Sequence, residues 1–213
     1  MSEKNEDVEL EVETQSLVLT DTVNLNTIGL IGDVTEGTSN EIIFSLLLLH
    51  ESQKADYLNA LAAIDKDSET PPEDPEINFY ISTNGGSADE MFGIYDVMRM
   101  IEETNISRIC TYGVGKVMSA GVLLLAAGTK GKRKVGKHCR IMLHSVIGGS
   151  TGPMHQLENE FAEVKKIQDN CIRALVEETN MSEDFLRAML SNKMNVYLTA
   201  REAVELGIAD EVV

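Results

Sequence analysis

Residues 77–101 read INFYISTNGGSADEMFGIYDVMRMI, and this stretch leaves few folds open. Its first six residues are short, β-branched and aromatic, as a strand is. Two adjacent glycines, Gly85 and Gly86, interrupt the run. Ser87 and Glu90 then spell a capping box, and Met91, Ile94, Tyr95, Met98 and Ile101 fall on one helical face. Strand, glycine turn and amphipathic helix predict a βα unit. The pattern recurs: residues 27–32 and 108–113 are strand-like and lead into helices, and residues 140–146 form a further candidate strand. Such alternation means α/β.

Later segments fit the same class. Residues 153–180 place Leu157, Val164 and Cys171 seven apart, with Phe161 and Leu175 on a complementary seam broken only by Gln168, so a long helix able to pair with another is expected. Thr199 and Glu202 form a second capping box and Gly207 stops the short helix behind them. Two acidic stretches stand apart. The first 14 residues carry six carboxylates against one lysine, and residues 65–76 hold three of the four prolines; both read as exposed, looped segments.

Composition narrows the partners. With 35 acidic against 18 basic residues the net charge is −17, which repels phosphate backbones and argues against nucleic acid. The basic run from Lys130 to Lys137 reads as a solvated turn. No apolar run approaches the roughly 18 residues of a spanning helix, which predicts no membrane partner. The acidic start is the reverse of a secretion signal, and three cysteines without a CxxC pair suit a reducing cytoplasm. No metal spacing is present, and His50, His138 and His155 sit in polar surroundings that read as surface.

Three features could carry chemistry. Ser119 sits where a glycine-containing turn gives way to the helix AGVLLLAAG, with half of a GxSxG elbow around it. Its hydroxyl is placed either to cap that helix or to attack an acyl carbon, with the helix N-terminus favouring developing negative charge. His144 ends an apolar strand before a glycine turn, where it is either a core histidine or a general base. The turn at Gly85 and Gly86 is either a plain tight turn or a set of backbone N–H donors aimed at an anion.

Taken in order, the segments STNGG, GVGKVMSAGVLLLAAGTKGKR, RIMLHSVIGG and YLTAREAVELGIAD closely resemble those of the ClpP family, the proteolytic subunits of the Clp protease, from about residue 28 to the last. The resemblance implies a spiral of repeated β-β-α units with a protruding handle helix over residues 152–180. It assigns residues 1–20 to an acidic axial-loop segment and 21–213 to one peptidase domain. It implies a cofactor-free serine endopeptidase, two stacked heptameric rings around a chamber, and a AAA+ unfoldase or a ClpP paralogue as partner for cutting unfolded polypeptides. Ser119 matches the nucleophile, His144 the base, and Gly86 and Ala120 the oxyanion-binding N–H groups.

Two departures shape the expected activity. Asn195 stands where the family has the aspartate that orients the histidine; an amide can hold a tautomer but brings no charge to an imidazolium. On the unfoldase-docking rim, Asn78 and Lys134 replace aromatic residues, with Tyr80 retained, which forfeits apolar contact. The resemblance, with these departures, thus implies a peptidase of weak or conditional activity. The alternatives are a ring subunit that cuts little itself and, ranked last, a crotonase-type acyl-CoA enzyme, which has no use for a serine and histidine pair.

Overall fold

A computed structural model describes residues 25–64, 71–191 and 195–213. Three βα units come first: β1 (Thr27–Ile31) with α1 (Glu36–Ala62), β2 (Glu76–Thr83) with α2 (Ala88–Glu103), and β3 (Arg108–Met118) with α3 (Ala120–Ala126). Then follow β4 (Lys134–Val135), β5 (Arg140–Leu143), α4 (Met154–Glu178), α5 (Glu183–Ser191), β6 (Val196–Leu198), α6 (Ala200–Glu205) and β7 (Glu211–Val212). The acidic N-terminal stretch and residues 65–70 of the second acidic segment lie outside the described residues. The end of that segment is ordered into the sheet, where Asp74 pairs with Arg108 and Glu76 with Lys132.

The strands order as β1-β2-β3-β4-β7, all parallel. β3 is almost twice the length expected from its sequence pattern because it serves two neighbours. Its first half pairs with β4 at Tyr112 and Gly113, and its last residues pair with β5 through Lys116, Val117 and Met118. Gly115, at φ 67°, sits between the two halves. β6 then adds to β5 antiparallel. The sheet therefore turns at β3, which sends the chain around a spiral.

Alternation along β2 puts Ile77, Phe79 and Ile81 into the core, fully buried, and Asn78 and Tyr80 outward. The apolar face expected for α2 is the buried one residue for residue: Met91, Ile94, Tyr95, Met98 and Ile101. Each large side chain buried this way contributes about 1.5–3 kcal/mol. All seven residues of α3 are buried, as expected of a helix that is apolar all round. α4 behaves differently: Met154 and Phe161 are exposed and burial begins at Ile172, so its N-terminal part stands off the body, as a handle does. α1 is 27 residues long, and it buries Ile42 and Leu46 while leaving Phe44 and Leu48 in solvent. None of the described helices is long and apolar enough to cross a membrane.

Two sequence expectations are corrected here. His50 is buried and bonds Ser107 Oγ at 3.0 Å, because it falls on the inner face of α1. The basic run is only in part the solvated turn expected: Lys130, Lys132 and Lys137 are exposed. Arg133 is buried; its Nε and Nη2 donate to Asp210 at 2.9 and 2.5 Å, and its Nη1 to the carbonyls of Ala126 and Glu178 at 3.1 and 2.7 Å. Lys132 and Lys134 reach Glu76 and Glu211. Glu178, buried itself, meets Arg99, Lys130 and the hydroxyl of Tyr95. A buried ion must be paired to be tolerated, and Lys130, Lys132, Arg133 and Lys134 each meet an acid from elsewhere in the chain.

Burial pushes the Asp210 carboxyl up, but its hydrogen bonds with Arg133 and the guanidinium charge outweigh that and hold it below the usual carboxylate range. Asp210→Asn strands a buried guanidinium and is expected to cost about 3 kcal/mol at pH 7. A depressed folded pKa gives stability that is present above the unfolded value of about 3.9 and lost as pH falls. Urea unfolding should therefore show the gap between wild type and variant closing below about pH 4. A gap that stays constant into acid means the pair does not carry this stability.

Candidate active site

Ser119 is the residue between β3 and α3, and its backbone is unusual: φ is 55° and ψ −120°. For a residue with a Cβ this region costs about 1–3 kcal/mol. Its own N–H donates to Met142 O of β5 at 2.8 Å, and its carbonyl accepts from Val122 N at 3.0 Å, so the bend is held at both ends. The side chain makes no capping hydrogen bond. Of the two readings open at Ser119, the helix cap is thus ruled out by geometry, and the hydroxyl is left to face a cleft.

That cleft has a volume of about 390 Å³ and brings Ser119, Ala120, His144 and Gly86 together. Leu123, Leu175 and Leu190 supply apolar wall, and Gln168 and Cys171 of α4 close one side. The thiol of Cys171 is a second potential nucleophile here. Burial pushes it up to about 11, so it stays protonated at neutral pH and is a poor one.

The turn after β2 explains its two glycines. A Cβ on Gly85 would fall 2.6 Å from Ser119 Cβ, and φ there is 101°. A Cβ on Gly86 would fall 2.1 Å from Val34 O, with φ 153°. The backbone of Val34 bridges this turn, donating to Gly85 O at 2.8 Å and accepting from Ser87 N at 2.9 Å. In such a parallel bridge the middle residue turns its own N–H the other way. Among the described residues Gly86 N has no acceptor, and neither has Ala120 N at the first position of α3. Two unpaired backbone donors thus border the cleft beside Ser119. With α3 only seven residues long, these N–H groups, rather than a helix dipole, are what an oxyanion would meet.

His144 lies one residue past β5 and is half-buried, so the strand ends earlier than its sequence pattern suggests. Its Nδ1 is 2.6 Å from the carbonyl oxygen of Ser145. No hydrogen bond joins His144 to Ser119 in this conformation, and none joins it to Asn195, which is exposed just before β6. Of the residues picked from the sequence, four share the cleft and the fifth, Asn195, does not line it.

The docking-rim positions lie elsewhere, on the outer face of the sheet. Asn78 and Tyr80 of β2, Tyr112 of β3 and Lys134 of β4 follow one another across paired strands. Tyr80 stacks on Tyr112 at 4.6 Å, and the Lys134 ammonium lies 5.7 Å from the Tyr112 ring centroid. Tyr112 was not anticipated; the strand pairing that puts it beside Tyr80 is a long-range fact, although its alternation along β3 could have flagged it.

A serine held at a strained bend, a histidine across a cleft and two unpaired N–H groups can serve as the parts of an acyl-transfer site. The family model for Clp protease matches residues 59–213, well over half of the chain, and leaves β1 and most of α1 outside its range. The chain belongs to the Clp protease family of peptidases.

Proposed function

We propose that this chain is a serine endopeptidase in which Ser119 is the nucleophile, His144 its general base, and the N–H groups of Gly86 and Ala120 the oxyanion hole. The observation that carries the reading is the backbone of Ser119: strain of this kind persists only where surrounding structure enforces it, and here it presents an uncapped hydroxyl to a cleft. Because His144 does not bond Ser119 in this conformation, the activity is conditional. A small movement of the segment after β5 must bring the imidazole onto the hydroxyl before a proton can pass.

Assembly into stacked heptameric rings is part of the same proposal, and it would supply cover for the exposed Phe44 and Leu48 of α1 and for Met154 and Phe161 of α4. Unfolded polypeptide is the substrate, delivered by a AAA+ unfoldase or taken up in company with a ClpP paralogue, in the cytoplasm. Docking of an unfoldase is weakened by the Lys134 ammonium beside the Tyr80–Tyr112 stack, since an apolar group buried there meets a charge. A second reading, a ring-building subunit with little catalysis, is favoured by one observation: Asn195 is exposed and makes no hydrogen bond with His144.

A fluorophosphonate probe separates the two. It should label the wild-type protein on Ser119, slowly, and Ser119→Ala should abolish the label. An assembled ring that takes up no label over hours would remove the peptidase reading in favour of the structural one. Gly85→Ala provides an internal check. The new methyl drives into Ser119 Cβ, and a displacement near 1 Å is worth about 10²-fold in rate, so labelling should fall by about that factor while helical circular dichroism is kept. Unchanged labelling in that variant would mean the bend at Ser119 is not what sets reactivity.

A further inference from the structure

The hydrogen bond from His144 to Ser145 has a continuation on the other side of the same peptide unit. A carbonyl oxygen only accepts, so the 2.6 Å contact at Nδ1 requires the hydrogen to be on Nδ1. In the neutral ring Nε2 is then the acceptor, which is the form a general base needs. The peptide that supplies this carbonyl is the one between Ser145 and Val146, and its N–H donates to Gln168 Oε1 at 2.7 Å. A trans peptide is planar, with C=O and N–H pointing opposite ways. Holding the N–H therefore aims the carbonyl.

Two further contacts fix where this peptide lies. Ser145 Oγ donates to Leu190 O at the end of α5, 2.6 Å away. Gly148 lies so close to α4 that a Cβ there would fall 2.6 Å from Val164 Cγ2. The segment after His144 is thus laid along α4 and tied to α5. Gln168 is the polar residue that breaks the apolar seam of α4, and helix packing gives no reason for an amide at that position. Its partner in the cleft wall gives one.

We propose that Gln168 is a positioning residue: through the Ser145–Val146 peptide it holds His144 with its hydrogen on Nδ1, the task a carboxylate commonly performs in such sites. Asn195 lies just past the last β5–β6 pair, Leu143 with Val196, on the strand opposite His144, but it is exposed and makes no hydrogen bond to the ring. The proposal rests on the serine-peptidase reading for its consequence in rate, but not for its geometry. Hydrogen bonds in series polarise one another by about 10–30% per bond, so the acceptor strength of the Ser145 carbonyl depends on whether Gln168 is in place.

Selective ¹⁵N labelling of histidine tests this directly, because the two ring nitrogens of a neutral imidazole resonate far apart according to which is protonated. Wild-type His144 should give the Nδ1–H pattern. Gln168→Leu should lose it, and should slow fluorophosphonate labelling of Ser119 by at least about tenfold, part of the 10²–10⁴-fold that a positioned base contributes. Gln168→Glu, whose carboxylate still accepts from Val146 N–H, should restore both the pattern and the rate. Gln168→Asn, one methylene too short, should behave as the leucine variant does, which guards against a packing artefact of Leu.

An Nδ1–H pattern unchanged in Gln168→Leu overturns the proposal, and so does a glutamate variant that restores neither readout. A pattern kept in Gln168→Leu but lost in Asn195→Ala gives the role to Asn195 instead. If wild-type protein takes no label at Ser119, the peptidase reading fails while the ring-nitrogen pattern still decides the role of Gln168.

Discussion

Removing a guanidinium from water costs several kcal/mol unless its donors are met, and Arg133 meets that requirement by gathering three distant parts of the chain. Its acceptors are the carbonyl of Ala126 at the end of α3, that of Glu178 at the end of α4, and the carboxylate of Asp210 ahead of β7. Arg99 and Thr111 take the neighbouring carbonyls of Ala127 and Leu125. A helix end leaves such carbonyls unpaired, and cations are favoured beside them. α3 has seven residues, about 10 Å in length, so fixing its last turn fixes its first. Its first residue follows Ser119. The ionic cluster on one side of the molecule thus sets the register of the hydroxyl on the other.

The strain at Ser119 is maintained from the opposite direction as well. Its N–H is held by Met142 of β5, and β5 pairs with the last three residues of β3. The turn at Gly85 sits against its side chain with no room for a methyl group. Strand pairing, a close backbone approach and a capped helix therefore converge on one residue. None of these contacts is made by the hydroxyl, which is why it stays free for the cleft.

What was legible in the sequence was local in its physics. The buried face of α2 follows from apolar spacing, and the capping box at Thr199 and Glu202 closes as written, with both of its hydrogen bonds formed. Ser119, His144, Gly86 and Ala120 could be brought to one place because the order of their motifs carried the arrangement. Features that depend on a remote partner were not legible. Arg133 looked solvated because Asp210 lies 77 residues away, and His50 looked polar because the turn of α1 that buries it depends on what packs there. Tyr112 joins Tyr80 only through the register of β2 and β3. Gln168 was visible as a flaw in a seam, but its meaning required the peptide it meets.

A carbonyl and a carboxylate do different work on an imidazole. Both accept the Nδ1 hydrogen, so both fix the tautomer and leave Nε2 to receive a proton. Only the carboxylate adds a full charge to stabilise the imidazolium once that proton has arrived. At His144 the acceptor is a peptide dipole, strengthened by Gln168 but uncharged, with Asn195 unable to add what is missing. If His144 is the base, as proposed, its neutral ring already has the tautomer that can receive a proton, while the charged imidazolium is less well supported. On that reading the asymmetry slows proton transfer without abolishing it, and ties the rate to how well α4 holds one peptide plane.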